Sequence, residues 1–490
     1  MKKILSVIFF AFSLSLLAAP KGYDIKLNIK NLANQKVILA FYYGDKQWVK
    51  DTFAFDKTGV CTIKADTNLT PGIYLAVFPF LGNRYFEFIV NEQQFELTTD
   101  TTDLAGKMVV KNSLENKLFY EDMFFLNAKR RESEVLNSQY KTTIDEKAKQ
   151  QVMDKLKAID KDVKAKREEV IAAHPKTFYA AILKAMKENE IPEPPKDANG
   201  KILDSAFQWR YYKDHYWDNF DFTNDNLLRT PIFHNKLDPY YNRTLIQQAD
   251  SMILEGDKLL KKMNPKGDLF KYTLVFMLNE MAKTKIMGLD AVYVHLVNNY
   301  YAKGLASWVD STQLFKITDN ARRTEPTLIG KKAKNIVLAD TSSKNYTSLY
   351  ALPNKYTIVC FYDPDCGHCK KEVPKLNIGY KNLKKMGIDV GFFAVAAATR
   401  EEMQKWKDFI KEFGLDDCYN VGDPDHQNNY RYEWNIQSNP QIYILNKDKV
   451  IIGKRLGGDQ VEDFIHHEVD PSFRPKKPIT MEDENHKPHE

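Results

Sequence analysis

The stretch that decides the fold of the C-terminal third is VCFYDPDCGHCKKEVP, residues 359–374. An apolar run leads into two cysteines, Cys366 and Cys369, which are separated by two residues and open a helix-like segment. At the start of a helix, unpaired backbone N–H groups and the helix dipole favour a thiolate over a thiol. The spacing predicts that Cys366 attacks a disulfide and that Cys369, one turn into the helix, resolves the mixed disulfide.

The residues between and after the cysteines argue against other kinds of site. His368, if protonated, adds positive charge near the Cys366 sulfur. A zinc site needs about four ligands, and one CxxC with a neighbouring histidine falls short of that number. A c-type haem needs histidine directly after the second cysteine, where this chain has Lys370. The motif therefore predicts thiol chemistry with no organic cofactor and no metal.

On either side of this motif, apolar runs typical of strands alternate with helical patterns. Residues 356–362 and 389–396 read as strands, and residues 370–385 between them read as a helix. This order predicts a mixed α/β sheet over residues 326–468.

The strand, the CxxC and the helix in this order resemble the thioredoxin superfamily. Pro374 stands where thioredoxins place a helix-kinking proline, and Glu372 matches an acidic residue that follows CxxC-Lys-Lys in TlpA-like periplasmic reductases. Pro440, in SNPQIY, matches the cis-proline loop that faces the CxxC. The resemblance implies a thioredoxin-like thiol–disulfide oxidoreductase in which Glu372 assists proton transfer and Pro440, with Asn439, presents backbone to an extended substrate chain.

Three positions depart from the family pattern. Thioredoxins usually bury an acid six residues before the first cysteine, and this chain has Cys360 there. Tyr362 replaces a tryptophan, and Asn439 replaces the usual Thr or Val before the proline. These departures leave the rate and the substrate preference open, with Glu372 as the best substitute for the missing acid.

The first 19 residues predict export. Lys2 and Lys3 precede an apolar run at residues 4–17, and Ala18-Ala19 supplies small residues for cleavage. The run is too short for a transmembrane span and indicates a signal peptide at residues 1–19, with an uncleaved anchor as the alternative. The expected location is the periplasm.

The remainder of the chain divides by pattern into three further regions. Residues 22–112 alternate polar and apolar and predict a small antiparallel β-sandwich. Residues 113–320 predict an α-helical domain, and residues 471–490 a disordered tail. The first two resemble domains found beside periplasmic thioredoxin domains, the second of them uncharacterised. The chain is thus expected to be multidomain, with a β-sandwich, a helical region and a C-terminal α/β thioredoxin-like fold.

Composition limits the partners. The net charge is only +6 over 490 residues and forms no basic block, which argues against nucleic acid. Five cysteines are too few for a disulfide scaffold in a chain of this length. Cys61 is expected to lie in the core of the β region, and Cys418 is expected to be an incidental thiol. The predicted partners are protein disulfides or dithiols in the cell envelope and a membrane or soluble thiol electron donor.

Two questions stay open on the sequence. Gly367-His368 resembles the pair in eukaryotic disulfide isomerases, which implies a potential above the thioredoxin value of about −270 mV, whereas Glu372 and its surroundings favour a reductase. We expect a reductase. The alternative function is a client- or ligand-binding protein in which the CxxC only gates binding, and the aromatic stretch at residues 209–222 is a candidate docking region.

Overall fold

The computed structural model describes residues 22–474. Its contacts divide the chain into two compact units, one ending at Pro239 and the other beginning at Tyr240. This division falls inside the region 113–320 that the sequence analysis treats as one helical domain. The signal peptide expected at residues 1–19 and most of the expected tail lie outside the described residues.

The first unit opens with two four-stranded sheets. One has the strand order β4-β1-β7-β8 and the other β3-β2-β5-β6. The strands are β1 (Tyr23–Lys30), β2 (Lys36–Tyr43), β3 (Lys46–Ala54), β4 (Val60–Ala65), β5 (Gly72–Phe78), β6 (Arg84–Val90), β7 (Gln94–Asp100) and β8 (Val109–Lys111). Every neighbouring pair is antiparallel except β1 and β7, which run parallel.

Buried and outward-facing residues alternate along the strands, which explains why the two sheets pack against each other as a sandwich. In β1, Ile25, Leu27 and Ile29 are fully buried while the residues between them face outward. Their side chains meet those of the second sheet, such as Phe88, in one apolar cluster. The antiparallel sandwich expected from the sequence is confirmed, with the parallel β1–β7 pair as the exception.

Within residues 22–239, five α-helices follow the strands, and three of them begin at capping side chains. Ser113, Asp145 and Thr177 each accept a hydrogen bond from the backbone N–H three residues on. The helices are α1 (Leu114–Thr142), α2 (Glu146–Ala173), α3 (Phe178–Met186), α4 (Phe207–His215) and α5 (Ile232–Pro239).

The second unit begins with helices and ends with an α/β sheet. The helices before the sheet are α6 (Ala249–Lys261), α7 (Asp268–Lys283), α8 (Asp290–Leu296) and α9 (Ser311–Thr324). The strands are β9 (Val337–Ala339), β10 (Tyr346–Ser348), β11 (Tyr356–Tyr362), β12 (Val390–Ala396), β13 (Tyr419–Gly422), β14 (Gln441–Leu445) and β15 (Ile451–Lys454). The helices among and after them are α10 (Gly367–Lys385), α11 (Met403–Glu412), α12 (Tyr430–Glu433) and α13 (Val461–Val469).

The seven-stranded sheet has the order β10-β9-β13-β12-β11-β14-β15. Its strand β11 is buried along its whole length, parallel to β12 and antiparallel to β14. Apolar clusters cover both faces of the sheet, which explains why β11 is a continuous apolar run instead of an alternating one. The thioredoxin-like α/β fold expected for the C-terminal region is confirmed.

A buried ion pair joins the helices of the second unit to its sheet. The Lys454 ammonium at the end of β15 pairs with Asp290 at the start of α8, and both side chains are at most 5% exposed. The same ammonium donates to the Thr327 carbonyl oxygen at 2.8 Å and to the Thr327 hydroxyl at 3.3 Å. Partners of this kind offset part of the cost of removing an ammonium from water.

Among residues 22–474, no helix combines the length and the apolar character that crossing a bilayer requires.

Candidate active site

Cys366 occupies the N-cap position of α10, directly after the carboxyl end of β11. Its side chain is partly exposed, and its backbone carbonyl accepts the hydrogen bond from the Lys370 N–H that opens the helix. The approach to it is a tight turn in which the Asp365 N–H donates to Asp363 Oδ1 at 2.8 Å. The sulfur therefore stands where the helix dipole favours negative charge.

Cys369 is fully buried on the first turn of α10. The backbone N–H of Asp363 donates to its sulfur at 3.4 Å. Burial, with a smaller effect of the adjacent Cys366, raises the pKa of the Cys369 thiol to about 12, against the lowering effect of that hydrogen bond. At neutral pH, Cys369 is a protonated and hidden thiol beside a more exposed one.

A loop before β14 closes the site on the side of Cys366. The Asn439–Pro440 peptide bond is cis, and the Cys366 thiol donates to the Asn439 carbonyl oxygen at 3.6 Å. The antiparallel register that pairs Phe361 of β11 with Gln441 of β14 brings this loop to the end of β11 where the CxxC begins.

Glu372 lies one turn beyond Cys369 and is held on both oxygens. Lys375 Nζ lies 2.7 Å from Oε1, and the Gly458 N–H donates to Oε2 at 2.9 Å. Burial raises the pKa of the carboxyl, but the contacts with Lys375 and Gly458, with the charge of His368, outweigh it and leave the pKa lowered. Glu372 is therefore ionised at neutral pH.

Gly458 allows this contact because it has no side chain. A Cβ at this position would lie 2.2 Å from the backbone oxygen of Glu372. No other residue type permits the loop to approach α10 so closely. The sequence analysis missed this residue, since a single glycine 86 positions from its partner carries no local signal.

A groove of about 1370 Å³ runs beside the CxxC. One side is formed by His368, Glu372 and the loop at residues 438–440, and the other by residues 281–327 of the helical segment, including Asn320 and Thr324.

Side-chain hydrogen bonds hold the two sides of the groove together. Gln437 Nε2 donates to Asn320 Oδ1 at 3.3 Å, and Asn435 Nδ2 donates to the Thr324 hydroxyl at 3.0 Å. The helical wall was also missed from the sequence, because its contacts with the loop span more than one hundred residues.

The groove lining includes His368 but none of the cysteines of this unit. Cys360 is fully buried in β11, and burial raises the pKa of its thiol well above the usual value. Cys418 packs at the edge of the same apolar cluster, and burial raises its pKa to about 12. Tyr362, which stands in place of a tryptophan, accepts a hydrogen bond from Trp406 Nε1 at 3.0 Å inside that cluster.

Among residues 22–474, no group of three or more His, Cys, Asp or Glu side chains is arranged to hold a metal ion.

Comparison with family models divides the chain into three matched ranges. Residues 329–454 match the AhpC/TSA family, residues 145–324 match a domain of unknown function, DUF5106, and residues 23–119 match another, DUF4369. The first range contains both cysteines of the CxxC and the cis-proline.

Three individual proteins are similar to parts of the chain. Thiol-disulfide oxidoreductase ResA of Bacillus subtilis (strain 168) is 29% identical over 137 residues, which cover 28% of this chain and 72% of that protein. A crystallised domain of a possible thiol-disulfide isomerase from Cytophaga hutchinsonii is 34% identical and covers 29% of this chain and 95% of that one, with a TM-score of 0.27. A thioredoxin-like protein from Bacteroides caccae is 17% identical and covers 57% and 99% of the two chains, with a TM-score of 0.45.

Proposed function

Residues 329–454 form a thioredoxin-like domain of the AhpC/TSA family whose relatives include named thiol-disulfide oxidoreductases, and from this premise we propose that the chain exchanges disulfides with proteins of the cell envelope. The observation that carries the proposal is the asymmetry of the CxxC. Cys366 is partly exposed at a helix N-terminus, whereas Cys369 is buried with a pKa of about 12.

The first step is attack by the Cys366 thiolate on a substrate disulfide. A bond forms between Cys366 Sγ and one substrate sulfur, the substrate S–S bond breaks, and the other substrate sulfur leaves as a thiolate that takes up a proton. Positive charge on His368, when that ring is protonated, favours the attacking thiolate.

The second step is resolution by Cys369. After losing its proton, its sulfur attacks Cys366 Sγ, the mixed disulfide breaks, and the second substrate sulfur leaves as a thiol. The products are a reduced substrate and a Cys366–Cys369 disulfide, so two electrons have passed to the substrate. A membrane or soluble thiol donor restores the dithiol.

The groove supplies the place for the substrate chain. The carbonyl of Asn439 lies within 3.6 Å of Cys366 Sγ, so a polypeptide strand that pairs with this loop brings its disulfide to the attacking sulfur. The helical wall opposite the loop bounds the groove on its other side.

We propose that Glu372 assists proton transfer during disulfide exchange. Its lowered pKa keeps the carboxylate ionised at neutral pH, so it can accept a proton but is a weaker base than an ordinary glutamate. The hydrogen bonds that it accepts from Lys375 and the Gly458 N–H fix it on the groove wall. Glu372→Gln retains an acceptor for Gly458 but removes the charge. We expect slower turnover with an unchanged melting temperature.

We propose that the protein works as a reductase in the periplasm. The support is the match of Glu372 and of the motif's surroundings to the TlpA-like pattern. Equilibration of the purified chain with glutathione measures the potential, which we expect near the thioredoxin value of about −270 mV. A DsbA-like potential of about −120 mV would contradict the reductase direction.

Turnover of a protein disulfide tests the function itself. The full chain should reduce insulin disulfides with dithiothreitol as donor, faster than dithiothreitol alone, and Cys366→Ala should not. Equal rates with and without the protein would overturn the proposal.

A further inference from the structure

A second cavity lies in the first unit, built by residues that the thiol chemistry does not use. Its volume is about 630 Å³, inside the range of roughly 300–1000 Å³ that is typical of small-molecule sites. Helices α1, α3, α4 and α5 form most of its wall, and β5 and β6 contribute one residue each.

The wall of this cavity is mainly apolar and aromatic. Phe119, Met123, Leu126, Leu183 and Tyr211 all line it. Phe119 packs edge-on against Tyr179 with ring centroids 5.8 Å apart, which fixes one end of the lining. A wall of this kind favours an apolar ligand body, since each buried CH₂ contributes about 0.8 kcal/mol.

Asp122 and Arg167 line the cavity, and each has one buried polar atom without a hydrogen-bond partner in the part of the chain that the structure describes. Asp122 is only 3% exposed, and its Oδ2 accepts a hydrogen bond from the Tyr179 hydroxyl at 2.6 Å. Arg167 Nε lies 3.8 Å from the same oxygen. Within residues 22–474, neither Asp122 Oδ1 nor Arg167 Nε has a hydrogen-bond partner. Buried groups of this sort cost about 1–3 kcal/mol each when unpaired, so they point to a bound partner.

The charges of the cavity are balanced. Among the Asp, Glu, Lys and Arg side chains that line it, three are negative and three are positive, namely Glu87, Asp122 and Glu188 against Arg167, Lys187 and Lys236. A ligand head that carries a charge would leave that charge uncompensated in an apolar site.

We propose that this cavity binds a small neutral amphiphile. Its apolar body packs on the aromatic wall, and its uncharged head, of primary amide type, donates to Asp122 Oδ1 and accepts from Arg167 Nε. The site is independent of the disulfide exchange proposed above, because none of its lining residues belongs to the CxxC or its groove.

Three nine-carbon probes that differ only in their heads test the proposal. Nonanamide, nonanoate and nonylammonium are titrated against the full chain carrying the fluorescent probe N-phenyl-1-naphthylamine. We expect nonanamide to displace the fluorophore with an apparent Kd at least about tenfold below those of the two charged probes. Equal potency of the three would overturn the role of the head, and no displacement by any would overturn the site.

Charge-changing variants add a readout that a purely structural role would not move. Asp122→Asn leaves Arg167 unbalanced and should shift the preference towards nonanoate, whereas Arg167→Gln should shift it towards nonylammonium. Asp162→Asn, on an exposed part of α2, is the matched control and should keep the amide preference. An unchanged preference in both cavity variants would contradict the proposal.

A blocking variant covers the case in which the charge variants fail to fold. Met186 lines the cavity and is 42% exposed, so Met186→Trp can fill the mouth without disturbing the core. With an unchanged melting temperature, this variant should bind nonanamide at least about tenfold more weakly. Wild-type affinity in Met186→Trp would also overturn the assignment.

Discussion

The groove at the CxxC and the cavity at Asp122 differ in how their working residues are distributed along the chain. The attacking and resolving sulfurs are three positions apart, and the strand and helix that hold them are neighbours in sequence. The lining of the cavity runs from Ile73 to Lys236 and comes from strands and helices far apart in the chain. The proposed disulfide exchange therefore depends on residues that are neighbours in sequence, whereas the proposed ligand binding depends on tertiary packing.

Two substitutions, Cys366→Ala and Met186→Trp, should separate disulfide exchange from ligand binding. Cys366→Ala should abolish disulfide exchange, because the attacking sulfur is gone, and should leave nonanamide binding unchanged. Met186→Trp should do the reverse, with turnover within roughly twofold of wild type, because none of the residues that line the cavity lines the groove. Insulin reduction and fluorophore displacement, measured on both variants, check this. Loss of both properties in either variant would show that the two regions are coupled.

The buried ion pair behind the groove gives the next largest effect. Asp290→Asn should lower the free energy of unfolding by about 3–5 kcal/mol, because Lys454 keeps its charge in a buried place. Asp425→Asn breaks an exposed contact with Arg400 and should cost less than about 1 kcal/mol. Urea unfolding of both variants gives the comparison. Equal losses would mean that the Lys454 pair is not buried in solution.

The pH dependence of resolution follows from the pKa of Cys369, which burial raises to about 12. Below that pH, the thiolate fraction rises about tenfold per pH unit. With Ellman's reagent, the second release of thionitrobenzoate reports attack by Cys369 on the Cys366 adduct. Its rate should climb about tenfold per unit between roughly pH 6 and pH 9. A plateau near neutral pH would indicate a much lower pKa.

The smallest effect concerns the residue that replaces the tryptophan of the family pattern. Tyr362→Phe removes the acceptor for Trp406 Nε1, which is buried. The cost should be about 1–2 kcal/mol of unfolding free energy, with turnover unchanged, because the hydroxyl faces the core and not the groove. A loss of turnover beyond the loss of stability would give Tyr362 a part in the chemistry.

Structural features that depend on neighbouring residues in the chain could be predicted from the sequence. The apolar run before Cys366, the CxxC spacing and the strand–helix alternation predicted the α/β fold of the C-terminal region. Polar–apolar alternation predicted the N-terminal sandwich. It did not predict that β1 and β7 run parallel, because alternation reports which face is buried and not the direction of the partner strand.

The rest of the site depends on contacts between distant positions. Lys454 and Asp290 are 164 residues apart. Phe178, whose backbone N–H donates to the Glu115 carboxylate, is 63 residues from that glutamate. The helical wall of the groove and the acid–base pair of the cavity form in the same way. A single sequence shows these residue types but does not show that they contact one another in the fold.

We propose that Cys366 attacks the substrate disulfide and that Cys369 only resolves the mixed disulfide. Covalent adducts trapped by cysteine variants distinguish these two roles. Cys366→Ala, Cys369→Ala, Cys360→Ala and Cys418→Ala are expressed in cells and run on non-reducing gels beside wild type. Cys369→Ala should accumulate covalent adducts that disappear on reduction, Cys366→Ala should trap nothing, and the other two should resemble wild type. Equal adduct formation by Cys366→Ala and Cys369→Ala would contradict the assignment.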